Sequence, residues 1–174
     1  MPRALFVSLP LHGHTNPTLP LARALVRSGH HVDYLSVGGV DHGYLLSGGA
    51  WVPFDPPGST RTMPFKINPS GDVVGQYDSA GVTHGFLLRA GVFTTVDVPG
   101  ATSTVAVGVN PQGKISGRST SGGVTHGFLL SAGTFTMIDV PGATTTQIAG
   151  INPRGDMVGN YVASGVTHGF LLCR

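Results

Sequence analysis

One phrase recurs along this chain and limits what it can fold into. Gly-Val-Thr-His-Gly-Phe-Leu-Leu stands at residues 81–88, again at 123–130 and again at 165–172. A looser version, Gly-Val-Asp-His-Gly-Tyr-Leu-Leu, occupies 39–46. Its histidines, His42, His84, His126 and His168, are 42 residues apart each time. Repetition at such a spacing means that one supersecondary unit is stacked on copies of itself, each burying its neighbour's apolar face.

From Gly39 the register never slips. The copies are 39–80, 81–122 and 123–164, and residues 165–174 begin another. Each copy carries three turns with a mechanism. In Val98-Pro99-Gly100-Ala101, proline and glycine take the central positions of a type II turn. Asn110-Pro111-Gln112-Gly113 has the type I preference. Ala90-Gly91 closes a hairpin between two apolar runs. The spacing predicts four strands per copy, over 83–88, 93–98, 103–109 and 114–119. Phe93, Thr95 and Asp97 share one face of the second of these. Phe135 and Trp51 hold the Phe93 position, so one large aromatic per copy is expected between neighbouring sheets.

The fold class is therefore mainly β, in tandem four-stranded antiparallel units. A unit of ~42 residues fits a propeller blade, and it also fits one third of a β-trefoil. The turns do not separate the two. Counted from the second strand, the units run 51–88, 93–130 and 135–172, which gives three blades in an open arc. Such an arc leaves apolar sheet faces uncovered, and a homodimer joined through them is the expected consequence.

The first 36 residues have another character. The apolar run at 4–9 reads as a buried strand. Leu19, Ala22 and Val26 fall at helical spacing, and Ser28-Gly29 stops that helix. A second strand is expected over His31–Ser36. Strand, helix and strand make a βαβ segment, so two domains are expected: 1–37 as that segment and 38–174 as the β-repeat domain.

Composition supports turns and short strands, with 27 glycines and 13 prolines. Only 10% of residues are charged and the net charge is +2, without a Lys/Arg cluster. Nucleic acid is not an expected partner. No apolar run is long enough for a membrane span. Cys173 is the only cysteine, so no disulfide forms within the chain. The start lacks the cleavage site of a signal peptide, which points to the cytoplasm for the chain as written.

Two resemblances add to this. Ile151-Asn152-Pro153-Arg154-Gly155-Asp156, Val158-Gly159-Asn160-Tyr161 and residues 165–172 resemble the HAF-type extracellular repeat family, as does the segment 135–144. The likeness covers 39–174. It implies tandem propeller blades, an exported protein and no established activity. Residues 4–8, Gly13-His14-Thr15-Asn16-Pro17 and Gly29-His30 resemble the opening of GT-B glycosyltransferases acting on macrolides and other small acceptors. That likeness implies that His14 would be the general base on an acceptor hydroxyl. The chain shows neither the partner carboxylate nor a sugar-nucleotide domain, so a truncated, inactive transferase is the alternative reading.

The recurring histidines read as structural, each bonded to the backbone of a nearby turn. Ligands repeated around an arc do not converge on one ion as a zinc site needs. Asp55, Asp97 and Asp139 precede each Pro-Gly turn and read as hydrogen-bond acceptors, with a histidine as candidate partner. No cofactor, metal site or catalytic set is expected. The function expected is a non-enzymatic scaffold or binding module for a protein or carbohydrate ligand. The ligand would meet a turn-lined face where the copies differ: Arg89, Ser131, Gln112, Arg154, Lys114, Arg118 and Asn160.

Overall fold

The computed structural model describes residues 34–37, 40–47 and 50–173, with side-chain surroundings for 41–44 and 53–173. The described residues are all β, without a helix. Four antiparallel sheets follow one another. The first holds β1 (Tyr34–Val37), β2 (Val40–Ser47) and β3 (Ala50–Phe54). The second holds β4 (Arg61–Ile67), β5 (Val73–Ser79), β6 (Val82–Arg89) and β7 (Val92–Val96). The third holds β8 (Ser103–Val109), β9 (Ile115–Ser121), β10 (Val124–Ser131) and β11 (Thr134–Ile138). The fourth holds β12 (Thr145–Ile151), β13 (Met157–Ala163) and β14 (Val166–Leu172).

The strands fall where the turn chemistry puts them, but they group differently from the units 51–88, 93–130 and 135–172. In the second and third sheets the His-Gly-Phe-Leu-Leu strand is not the last. It pairs on both sides, β6 with β5 and with β7. The reason lies in the connections. Ala90 and Gly91 have φ of 49° and 78°, the two positive values of a type I′ hairpin, so β7 folds straight back onto β6. The Pro-Gly turn instead breaks the ladder. Ala101 N–H donates to Val98 O across it, and the next strand leaves for a new sheet.

β1 overlaps the end of the expected strand 31–36, yet it pairs antiparallel with β2, Tyr34 opposite Gly43. That is the register of Gln76 opposite Gly85, displaced by one repeat. The remainder of the expected βαβ segment, residues 1–33 with His14, lies outside the described residues.

Successive sheets stack face to face through the first strand of the later one. β8 lies across β4, β5 and β6, and β12 lies across β8, β9 and β10. One core is Val74, Val96, Ala106, Val109, Ile115 and Phe128, drawn from the second and third sheets. The other joins Leu129 to Ile148 and Met157, from the third and fourth. Phe93 and Phe135 take part as expected. Phe93 packs edge-on to Phe86 at 5.6 Å and reaches Phe54 of the first sheet at 6.2 Å. Phe135 packs against the core between the second and third sheets.

Each repeat phenylalanine lies over a glycine. Gly75, Gly117 and Gly159 stand opposite Phe86, Phe128 and Phe170. A Cβ on Gly117 would sit 2.0 Å from Val105 O and 2.9 Å from the Phe128 ring. The ring takes the space that any side chain would need.

Candidate functional site

Chain direction alternates, so the two ends of each sheet carry different turns. At one end are the Pro-Gly turns and the hairpins Ala80-Gly81, Gly122-Gly123 and Ser164-Gly165. At the other are the Asn-Pro-x-Gly turns and the hairpins Ala90-Gly91 and Ala132-Gly133. Each end has a repeated polar device.

At the Pro-Gly end, Asp97 follows β7 on the face that carries His84. The Nδ1–H of His84 donates to Asp97 Oδ2 at 2.7 Å. His42 donates to Asp55 at 2.9 Å and His126 to Asp139 at 3.0 Å. All three pairs lie within one repeat. The acceptor is thus a carboxylate thirteen residues on, and not the backbone of a turn. A carboxylate only accepts, which fixes the proton on Nδ1. Tyr77 stacks on His84 with ring centroids 5.1 Å apart. Tyr161 stacks on His168 at the same 5.1 Å. His–Asp pairing of this kind orients the base of a nucleophilic triad. Here no hydroxyl is hydrogen-bonded to any of these imidazoles among the described residues. Nor is any group of three or more His, Cys, Asp or Glu placed among them to hold a metal.

At the Asn-Pro end, one asparagine organises each turn. Asn68 Oδ1 accepts from the N–H groups of Ser70 and Asp72. Asn110 Oδ1 accepts from Gln112 and Lys114. Asn152 Oδ1 accepts from Arg154, Gly155 and Asp156. The amide nitrogens then link the copies. Asn68 Nδ2 donates to Asn110 O at 3.1 Å, and Asn110 Nδ2 to Asn152 O at a longer 3.5 Å. The type I reading described each turn correctly but did not reach this link, because its acceptor is 42 residues away.

Charged side chains sit on this frame. Arg89 grips the buried Asp72 with two bonds of 2.9 Å, Nε to Oδ1 and Nη2 to Oδ2. That guanidinium holds the Asp72 carboxyl below its ordinary range, against the opposing push of burial, with help from the Asn68 amide. Arg89 is raised in return. Its guanidinium also overhangs Gly113, where a Cβ would meet it at 2.9 Å. Arg154 pairs with Asp156 at 3.0 Å.

The structure gathers Arg89, Gln112, Lys114, Ser131 and Arg154 at this end. It does not place Arg118 and Asn160 there. Those two occupy one repeat position in mid-strand, opposite Gly127 and Gly169. Arg118 lies half-buried, and desolvation pulls its guanidinium below the ordinary arginine range. Comparison with protein-family models and with curated proteins returns no match.

Proposed function

We propose that the chain is a non-enzymatic β-repeat binding scaffold of propeller type, and that its ligand meets the Asn-Pro end of the sheets. One observation carries this reading. The frame is constant while what it displays is not. Asn68, Asn110 and Asn152 hold the same backbone, and upon it stand Ser70, Gln112 and Arg154, then Asp72, Lys114 and Asp156. Constant scaffolds with varied turn residues are the usual arrangement of binding surfaces. The propeller reading, preferred to a trefoil, draws support from sheets that are sequential meanders. It is also supported by each sheet's first strand lying across the sheet before. The HAF-type resemblance agrees with both.

Lys66, Arg89, Lys114 and Arg154 outnumber Asp72 and Asp156 on this end, so the ligand class proposed is one bearing carboxylates, such as an acidic polysaccharide. The test is retention on immobilised polygalacturonate at low salt by the chain and by the triple variant Gln112→Ala, Lys114→Ala, Arg154→Ala. Retention by the chain and loss in a variant of unchanged melting temperature is expected. No retention, or retention equal in both, overturns the proposal.

A further inference from the structure

The second Asn-Pro turn, 110–114, keeps the cation found at the first, 68–72, but not its acid. In the first turn the Asp72 carboxylate is held from two directions. Asn68 Nδ2 donates to Oδ2 at 2.9 Å, and Arg89, from the neighbouring hairpin, donates to both oxygens. In the third turn, 152–156, Asp156 takes the same position, with bonds from Asn152 Nδ2 at 2.8 Å and Arg154 Nε at 3.1 Å. In the second turn the chain puts Lys114 where Asp72 and Asp156 stand, and Ser131 where Arg89 stands.

The exchange moves the positive charge without removing it. The Arg89 guanidinium lies 2.9 Å from the place of a Cβ on Gly113. Gly155 is the same position one repeat on, and there the nearest atom is Lys114 Nζ, at 3.9 Å. The ammonium thus overhangs the third turn as the guanidinium overhangs the second. The asparagine between them is set for an acid as well. Asn110 Oδ1 binds the N–H groups of Gln112 and Lys114 just as Asn68 Oδ1 binds those of Ser70 and Asp72, so the two amides are held alike. Asn68 Nδ2 donates to both Asp72 and Asn110 O. Asn110 Nδ2 donates to Asn152 O alone, at 3.5 Å, from a side chain 2% exposed. One of its protons is therefore buried without an acceptor, a state that an incoming oxygen relieves. Lys114 and Ser131 are half-buried beside it, within reach of a ligand. Arg89 and Arg154 are already committed to Asp72 and Asp156, whereas Lys114 has no ionic partner among the described residues.

We infer that the second Asn-Pro turn is a subsite for one carboxylate of the ligand, held between Lys114 Nζ and Asn110 Nδ2 with the Ser131 hydroxyl beside them. The ligand's carboxylate takes the place that the Asp72 side chain has one repeat earlier. A carboxylate has acceptor sites enough for all three donors, and its bond to the ammonium is charge-assisted. The inference rests on the reading of this end as a face for an acidic polysaccharide, and narrows it to one uronate unit at one turn.

The probe is trigalacturonate, titrated into the full chain at low salt and followed by amide NMR. A saturable shift of the Asn110 side-chain amide and the Lys114 N–H is expected, and none with the methyl ester of the same probe, whose carboxyls are uncharged. The variant Lys114→Asp, Ser131→Arg copies the first turn into the second and so supplies the acid from the chain itself. It should melt no lower than the parent and bind the probe about tenfold more weakly. If it melts lower, Lys114→Gln, which removes only the charge, takes its place with the same loss expected. Shifts confined to other residues of the Asn-Pro end overturn the subsite and leave the binding face standing. So do an affinity equal in parent and variant, and an ester that binds as well as the acid. No shift at millimolar probe overturns both.

Discussion

Gly117 shows how little freedom one position has in this repeat. Its missing side chain is filled by Phe128, and the nearest atom to an added Cβ would be a backbone carbonyl in a paired strand. A carbonyl held in a ladder cannot step aside as a flexible side chain can. Gly117→Ala is therefore expected to cost about 2–3 kcal/mol through overpacking and loss of the Gly117–Phe128 pairing. Urea denaturation checks this, and a loss under half that size would mean that the strands separate more easily than their register implies. Asp72 gives a second prediction at this scale. Its folded carboxyl titrates below its unfolded value, which is near 3.9. It therefore adds stability above that pH, and the contribution is lost as pH falls from about 4 through the lower folded value. Arg89→Ala should remove about 1–2 kcal/mol at pH 7, trimmed by the solvent exposure of the arginine. The deficit should shrink on acidification below pH 4, where Asp72 begins to take up its proton. Denaturation at pH 7 and at pH 3 decides it, and an equal deficit at both would show that Arg89 acts by packing alone.

At the scale of elements, the Asn-Pro turn does two jobs that can be separated. Asn110→Ala removes the acceptor for two backbone N–H groups and the donor to Asn152 O, at an expected cost of about 2–3 kcal/mol. Asn110→Asp keeps the acceptor but turns a buried carboxylate oxygen on Asn152 O in place of the donor, so its cost should be larger, about 3–5 kcal/mol. Calorimetric melting of the two variants compares them directly; equal losses would deny the link any weight. The contrast also explains what was legible in the sequence. Turns and strands could be read because Pro-Gly, Asn-Pro and Ala-Gly act within four residues. The alternation of Phe93, Thr95 and Asp97 was legible for the same reason, and it placed Asp97 on the face where His84 meets it. What depends on partners a repeat away was not. The asparagine link, the ring over each glycine and the grouping of strands into sheets all rest on pairings that local chemistry leaves undetermined. Arg118 and Asn160 were misplaced by the same gap. They vary between copies as turn residues do, but their register puts them in mid-strand, Arg118 on the face that meets the fourth sheet and Asn160 exposed on the fourth sheet's outer face.

For the whole molecule, the stacking of faces sets an order of stability. The third sheet is packed on both sides, against the second through Ala106, Ile115 and Phe128 and against the fourth through Leu129. Among the described residues the fourth sheet is packed on one side only. Ile148 and Met157 are fully buried there, while Val158 and Leu171 on its other face are 50% and 64% exposed. Val158 and Leu171 are cross-strand partners. Their counterparts Ser116 and Leu129, one repeat earlier, are 0% and 2% exposed because β12 lies over them. A homodimer through such faces remains a proposal of its own. In a stacked array each unit draws its stability from its neighbours, so a unit with one neighbour opens more readily than a unit with two. Native-state hydrogen exchange should therefore show β8, β9 and β10 most protected, with β14 exchanging at least tenfold faster than β10 despite an almost identical sequence. The comparison is sensitive because β10 and β14 share Val-Thr-His-Gly-Phe-Leu-Leu, which removes intrinsic differences in side-chain chemistry. Equal protection of the two strands in the isolated monomer would mean that stability here is a property of the repeat itself and not of its stacking.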